Sequence, residues 1–499
     1  MRRVWVRELA GWSGALAVAL ITAAQVASSA RSELLFRDGD SLIVALFARS
    51  VLSGVPLDWA MSSVLFLPES AVFAGLDTLL PLDVNGLLAV NAVINILALY
   101  GALRLAAGRR RKGTAPVAWA LVGLVTFGVL AMTDVSGSRD ALDLASLVLT
   151  TTYYSATVVA VVLSVGLVRR LVDRDRFGGA LLVVLGATAA IATLSNPLYA
   201  VWATVPIALV LALMLPRAPH RIRPTMILVA LITGTALGFL GRIPLRAWIS
   251  NTGADYIQPE QWTESVGYYG ALLTTRAGTP AGVIGILIVI ALIVLAVVGT
   301  ARAEDFGSRF VSTVAWTMPV LVIIGAIVLG THAARYLQPL AFAPVLALVA
   351  ATRSWRAPFR VQSVVAATVS ALLLIGGALS VPRLVGASAS PDPDLTCVTD
   401  WVNASGRTGA GQFWTVRLPK LHVEDPARLV QVDHELNGYA WLVNREDFEA
   451  REASFLVEDA QTVEWRLPTS EIPDEVIGCG RYRIIDFGDA TVPLGPQHS

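Results

Sequence analysis

Long apolar runs, separated by short breaks that carry arginine, set the pattern of this sequence. A helix needs about 20 apolar residues to cross the hydrocarbon core of a bilayer. Runs of that order lie near 9–29, 84–103, 115–133, 147–168, 179–195, 198–215, 225–241, 280–299, 311–330, 337–352 and 361–381. They predict a polytopic α-helical membrane protein with about eleven transmembrane helices. Ser195, Asn196 and Pro197 mark a tight turn between the fifth and sixth. The stretch from Trp59 to Leu80 is also apolar, but Pro68-Glu69 and Asp77 interrupt it. It reads as a helix lying at the membrane interface or dipping into it. Just upstream, Leu42, Leu46 and Phe47 form one face of an amphipathic stretch from Leu42 to Leu52, which suits a helix lying flat on the membrane.

From Arg383 the pattern turns polar and aromatic. Gln412 to Val416, Leu429 to Val432, Tyr439 to Val443, Val463 to Leu467 and Tyr482 to Phe487 read as short strands separated by Pro, Gly and Asp. The expected organisation is a multi-helix membrane domain over 1–382, a Ser-, Ala- and Pro-bearing linker over 383–393, and a small β-rich α+β domain over 394–499.

Composition supports this division. Of 499 residues, 55% are hydrophobic and 15% charged, and the mean hydropathy is +0.64. Soluble domains carry roughly a quarter charged residues. A cytosolic enzyme, a nucleic-acid binder and a disordered scaffold are therefore excluded as first readings. The net charge of +1 hides an asymmetry: 28 Lys and Arg against 18 Asp and Glu up to Pro382, then 10 against 19.

Short cytoplasmic loops carry an excess of Lys and Arg. With the N-terminus inside, the inner segments hold Arg2, Arg3 and Arg7; Arg104 and Arg109 to Lys112; Arg169, Arg170, Arg174 and Arg176; Arg217, Arg221 and Arg223; Arg302 and Arg309; and Arg353, Arg356 and Arg360. Most acids then fall outside, with Asp175 among the few inside, and the C-terminal domain is extracytoplasmic. The expected location is the plasma membrane, multi-pass. Arg2-Arg3 and Ser28-Ser29-Ala30 could frame a signal peptide, but the apolar run exceeds the usual h-region of about 7–15 residues, so a retained helix is expected. The two cysteines, Cys397 and Cys479, both lie in the outer tail, where thiols oxidise, and a disulfide is expected.

Candidate chemistry is concentrated on the outer side. The spans are almost free of charge; Asn91 and Asn95, at i and i+4, suit an interhelical hydrogen bond. The absence of an acid or base that can be set at mid-depth counts against an ion-coupled carrier. The first outer loop reads Arg37-Asp38-Gly39-Asp40-Ser41, then Asp58-Trp59 and Pro68-Glu69. Asp38 or Asp40 could cap the amphipathic helix, which leaves a second role for the other. Arg335, with His332 and Tyr336, lies in a short outer loop, and Arg242 and Arg246 follow the seventh helix. An arginine fork suits a phosphate, although a headgroup contact is an equal alternative. Asp255, Glu260, Tyr268 and Tyr269 join acids and rings in the long outer loop, suited to sugars or to the interface. Asp134, Arg139, Asp140 and Asp143 form another outer loop able to close over a site.

An acidic pair just beyond the first helix, an interfacial helix after it, a long outer loop from Arg242 to Thr279 after the seventh helix and an external domain after the last resemble the GT-C membrane glycosyltransferases. The resemblance implies transfer of a sugar from a polyprenyl-phosphate donor to an extracytoplasmic glycan, lipid or protein acceptor. It implies Asp38 or Asp40 as the catalytic base, Gly39 separating two acids that are often adjacent in that superfamily. It further implies Arg335, His332, Arg242 and Arg246 around the donor phosphate, and Glu69, Asp255, Glu260, Tyr268 and Tyr269 toward sugar or acceptor. Members differ in their need for a divalent metal ion, so the cofactor stays open; the cysteines with His422 or His434 lack zinc-site spacing. Two alternatives stand beside this one: a transporter, flippase or polymerase for a lipid-linked saccharide, and a non-catalytic envelope assembly protein.

Overall fold

A computed structural model describes residues 2–174, 178–217, 221–354, 358–467 and 473–499. Asp175, Arg176 and Arg356, counted above in the inner loops, lie outside the described residues. The chain is mostly helical and divides into two compact units. One comprises Met1–Ser32, Ala89–Ile243 and Ala254–Ala387; the other comprises Glu33–Leu88, Pro244–Gly253 and Ser388–Ser499.

Among the described residues, seven helices are long and apolar enough to cross a bilayer: Trp5–Ala27, Val84–Ala106, Ser155–Val172, Ile222–Gly241, Pro280–Arg302, Phe306–Val328 and Arg360–Ser388. The remaining four apolar runs form the shorter helical segments Pro116–Met132, Gly179–Ser195, Ala200–Met214 and Ala334–Ala350. Two runs differ in detail from the hydropathy reading. The fourth opens as a 3-10 turn, Ser146–Leu149, and becomes α-helical only at Ser155, with side chains taking up carbonyls of the backbone between. Asn95 donates its amide to the carbonyls of Val148 at 3.1 Å and Thr150 at 3.3 Å, and the buried Gln338 donates to Tyr153 O at 2.9 Å. Irregular backbone at membrane depth requires such partners. The tenth run breaks into a 3-10 turn Ala334–Leu337 and helices Pro339–Phe342 and Leu346–Ala350, as Pro339 and Pro344 each remove a backbone donor.

Close packing joins Ile222–Gly241 to Gly179–Ser195. A Cβ on Gly234 would overlap the Gly186 backbone, and one on Gly238 would come 2.6 Å from Ala190 O. Backbone cannot yield as a side chain can, so Gly238→Ala is expected to cost about 1–3 kcal/mol as overpacking does. Thermal unfolding in detergent checks this, with Gly270→Ala, where nothing lies within 4 Å, as the tolerated control. Elsewhere in the unit, buried Arg169 donates to Ala106 O and Val349 O, both at 2.6 Å, and to Ala350 O at 3.0 Å. It thereby satisfies carbonyls that helix ends leave open.

The second unit is built on a seven-stranded mixed sheet in the order Gly495–His498, Asn437–Tyr439, Leu429–Val432, Gly409–Gln412, Phe455–Glu458, Tyr482–Asp486, Glu475–Cys479. Its three central strands, Leu429–Val432, Gly409–Gln412 and Phe455–Glu458, are parallel. The helix Phe413–His422 makes the crossover between the first two, as parallel neighbours require. Alternation divides the core. Leu429, Phe455, Val457 and Ile484 pack with Val398, Val402 and Val416, while Ala410, Val430, Val432 and Leu456 pack on the other face with Phe487 and Val492.

Of the expected strand over Gln412 to Val416, only Gln412 is in a strand, and Phe413 to Val416 begin that crossover helix; Val463 to Leu467 is irregular. The central strand that the sequence pattern does not reveal, Gly409–Gln412, lacks strand-forming side chains because it has no room for them: a Cβ on Gly409 would run into the Phe455 ring. The segment 383–393 is helical through Ser388, and Asp392 caps the next helix, Pro393–Ser405, accepting from Leu395 N at 3.0 Å. Cys397 on that helix and Cys479 on the edge strand form the expected disulfide.

The segment that follows the first apolar helix folds with this domain. Trp59–Ala60 pairs antiparallel with Val443–Asn444, and Arg445 bridges Asp58 at 2.9 Å. The amphipathic helix is present as Ile43–Ser53. Its apolar face is covered by protein, which corrects the flat-on-membrane reading: Phe47 lies edge-on to Trp59 at 5.3 Å and Trp248 at 5.9 Å.

Candidate active site

The candidate acids Asp38 and Asp40 lie half-buried in the second unit. Neither caps the Ile43–Ser53 helix, whose N-cap is Leu42 without a side-chain bond. The Asp38-Gly39-Asp40 turn is instead seated on the first turns of Phe413–His422. A Cβ on Gly39 would stand 3.3 Å from Trp414 and 3.4 Å from the Arg417 stem. Arg417 is fully buried; it donates from Nη1 to Leu442 O and from Nε toward Gly39 O at 3.4 Å. Its guanidinium stacks over Phe413 at 5.2 Å. Burial pushes its pKa down to about 10, against the opposing pull of Asp40, Asp447 and Asp38, so it is cationic at neutral pH.

One turn on, the ammonium of Lys420 meets Asp447 at 2.9 Å and the carbonyls of Pro426 and Leu429 at 2.6 and 2.9 Å. Two buried cations thus face three acids. Arg417 and Lys420 do not stand out among the sequence candidates; their signal is two cations at i and i+3 on one apolar face of FWTVRLPKLH. Arg417→Ala leaves the half-buried carboxylates without a neighbouring cation and the Leu442 and Gly39 carbonyls without their donor, a loss of about 1–3 kcal/mol for a buried polar group left unpaired. The expected result is a lower denaturation midpoint of the second unit, read from tryptophan fluorescence, with Arg417→Lys intermediate.

Glu69 is buried in the first turn of Leu67–Leu79, and Arg246 is exposed on the 3-10 turn Arg246–Trp248 of the same unit. Among the described residues no group of three or more His, Cys, Asp or Glu is placed to hold a metal ion.

The second group of candidates belongs to the first unit. Arg335 sits on the turn Ala334–Leu337, half-buried among rings. Its Nε donates to the Tyr154 hydroxyl at 3.2 Å, its guanidinium lies 5.8 Å from the Tyr256 ring and 5.6 Å from the Tyr336 ring, and Nη1 is 3.7 Å from Asp140. Tyr154 holds its position in a left-handed conformation, φ 67°, just before Ser155–Val172. His332 is exposed and edge-on to Tyr268 at 5.4 Å. Burial, and after it Asp140, push the Tyr268 hydroxyl up.

Tyr269 is buried and shares a 2.7 Å hydrogen bond with the Thr331 hydroxyl, a packing role. Asp255 and Glu260 are exposed on the turns Ala254–Tyr256 and Pro259–Gln261. Arg242 donates to Leu194 O at 2.7 Å, which closes the Gly179–Ser195 helix, and burial lowers its pKa. Of the phosphate candidates, Arg335 has the surroundings of a site: a guanidinium at the surface of a tyrosine cluster. No protein-family model matches the chain, and no curated protein matches it.

Proposed function

We propose that the chain is a GT-C-like membrane glycosyltransferase that moves a sugar from a polyprenyl-phosphate donor to an extracytoplasmic envelope acceptor. In this reading all eleven apolar segments cross the membrane; three of the four shorter ones are at the lower end of the spanning range of about 17–25 residues, and Ala200–Met214 is continued by the 3-10 turn Leu215–Arg217. The N-terminus is cytoplasmic and the disulfide-bonded domain lies outside.

The observation that carries the reading is the Asp38-Gly39-Asp40 turn. It is released from helix capping and locked, through Gly39 and Arg417, onto a folded domain. A carboxylate held in this way can accept the proton of an acceptor hydroxyl. The acceptor oxygen then bonds to the sugar's anomeric carbon, and the bond from that carbon to the phosphate oxygen breaks. Polyprenyl phosphate leaves with the electron pair. In the other unit, Arg335 is suited by its planar charge to a phosphate group, and the tyrosines around it offer hydroxyl donors and ring faces.

The test works without an identified acceptor. Lipid-linked sugars are extracted from host cells with the gene deleted, restored, or restored as Arg335→Ala. The proposal expects one polyprenyl-phosphate sugar to accumulate on deletion, to fall on restoration, and to stay high with the variant. An unchanged lipid-linked sugar profile on deletion contradicts it.

A further inference from the structure

Beside the candidate site, the first unit contains an apolar cavity of about 270 Å3 bounded by Pro280–Arg302, Trp262–Ala277, Pro339–Phe342 and the 142–145 loop. An apolar cavity of roughly 150 Å3 suffices to hold a benzene. Leu130 and Leu144 form its buried floor, 2% and 4% exposed, whereas Leu273 and Ile290 at its rim are 49% and 52% exposed. The mouth therefore opens on the outward face of Pro280–Arg302, a strongly apolar helix that the rest of the protein leaves mostly exposed.

Arg276 is the one charged side chain among the described lining residues. It pairs with Asp134 at 2.9 Å and Asp143 at 3.5 Å, and donates to Leu142 O. Arg31 completes the roof, donating to Ser146 Oγ at 2.9 Å and Asp143 O at 2.9 Å. Two cations and two anions balance. A water in the cavity would need two to four polar partners, and the roof has none to spare.

We infer that this cavity is a lipid-chain site, occupied by one acyl chain of a bilayer phospholipid that enters between Leu273 and Ile290. The self-neutralised roof offers nothing to a phosphate, so the site selects a hydrocarbon chain and is indifferent to the headgroup. The mouth faces the surface that bulk lipid bathes, which makes the abundant acyl chain its occupant. The chain fills the space that Leu142, Leu144 and Ala145 line, and so supports the loop that carries Asp140 to Arg335.

The test uses the full chain in vesicles containing phosphatidylcholine with a photoreactive group within one acyl chain. Crosslinked peptides are mapped by mass spectrometry, with Arg360–Ser388, 6% buried in its apolar window, as the ordinary lipid-facing reference. The expected labelling of 280–302 and 339–342 is about tenfold above that reference, the ratio given by a preference of 1.4 kcal/mol. Val289→Phe, which fills the cavity, removes the excess without changing the reference. Ala341→Leu, a smaller filling change, reduces it should the first variant not fold. Phosphatidylethanolamine and phosphatidylglycerol probes label equally. Labelling no higher than the reference, or labelling by a photoreactive polyprenyl phosphate alone, overturns the proposal.

Discussion

Asp38→Asn and Asp40→Asn, made singly, are expected to separate sharply: one lowers sugar transfer by about 10²–10⁴-fold, the contribution of a positioned general base, and the other has a much smaller effect. The amide keeps the size and hydrogen-bonding shape of the carboxylate but cannot take a proton. Because both acids neighbour the buried Arg417, each variant also changes local charge balance. The denaturation midpoint therefore has to be read alongside the rate. A rate loss at an unchanged midpoint assigns the base; a rate loss that follows the midpoint assigns a structural role. Two variants with undiminished transfer would remove both acids from the chemistry.

Loss of the Cys397–Cys479 disulfide is expected to destabilise the second unit by about 4–5 kcal/mol. The bond spans 82 residues of sequence, and in the chain-entropy model closure of so long a loop restricts the unfolded chain by that amount at 25 °C. The bond also joins Pro393–Ser405 to an edge strand, beside Trp401, which packs edge-on to Phe455 at 4.8 Å. Tryptophan fluorescence of the Cys397→Ser, Cys479→Ser double variant should show the unfolding transition at clearly lower denaturant. An unchanged midpoint in protein verified to lack the bond contradicts the expectation. Because Asp38 and Asp40 are seated on the same unit, transfer should become heat-labile in the variant before the apolar helices unfold.

Hydropathy locates helices under all eleven apolar runs, because side-chain solvation is a local property of each run. It does not show where a run stops being helical. Before the α-helix starts at Ser155, the carbonyls of Val148, Thr150 and Tyr153 are met by Asn95 and Gln338, which are distant in sequence. Within the tail, the strands Leu429–Val432 and Tyr482–Asp486 are visible in their branched and aromatic residues. Gly409–Gln412 is not: its fitness for the centre of the sheet lies in the closeness of Phe455 and Val416, a tertiary fact.

The acids that follow the first apolar helix are readable as candidates from their density alone. Their partner Arg417 lies nearly four hundred residues away, and only folding brings the two together. The same limit explains Asp134 and Asp143, which the sequence groups with Asp140 as one acidic loop. Asp134 and Asp143 are buried in ion pairs with Arg276, and Asp140 alone of the three is exposed.

The proposed sugar transfer from a polyprenyl phosphate is read from acceptor-dependent release of that lipid. Purified protein in vesicles is given polyprenyl-phosphate sugars labelled in the sugar, together with envelope extract as acceptor, and both products are quantified. The account predicts equal amounts of free polyprenyl phosphate and labelled acceptor with the wild type, and neither above background with the double variant Asp38→Asn, Asp40→Asn. Labelled donor that crosses the vesicle membrane intact, with no polyprenyl phosphate released, contradicts it.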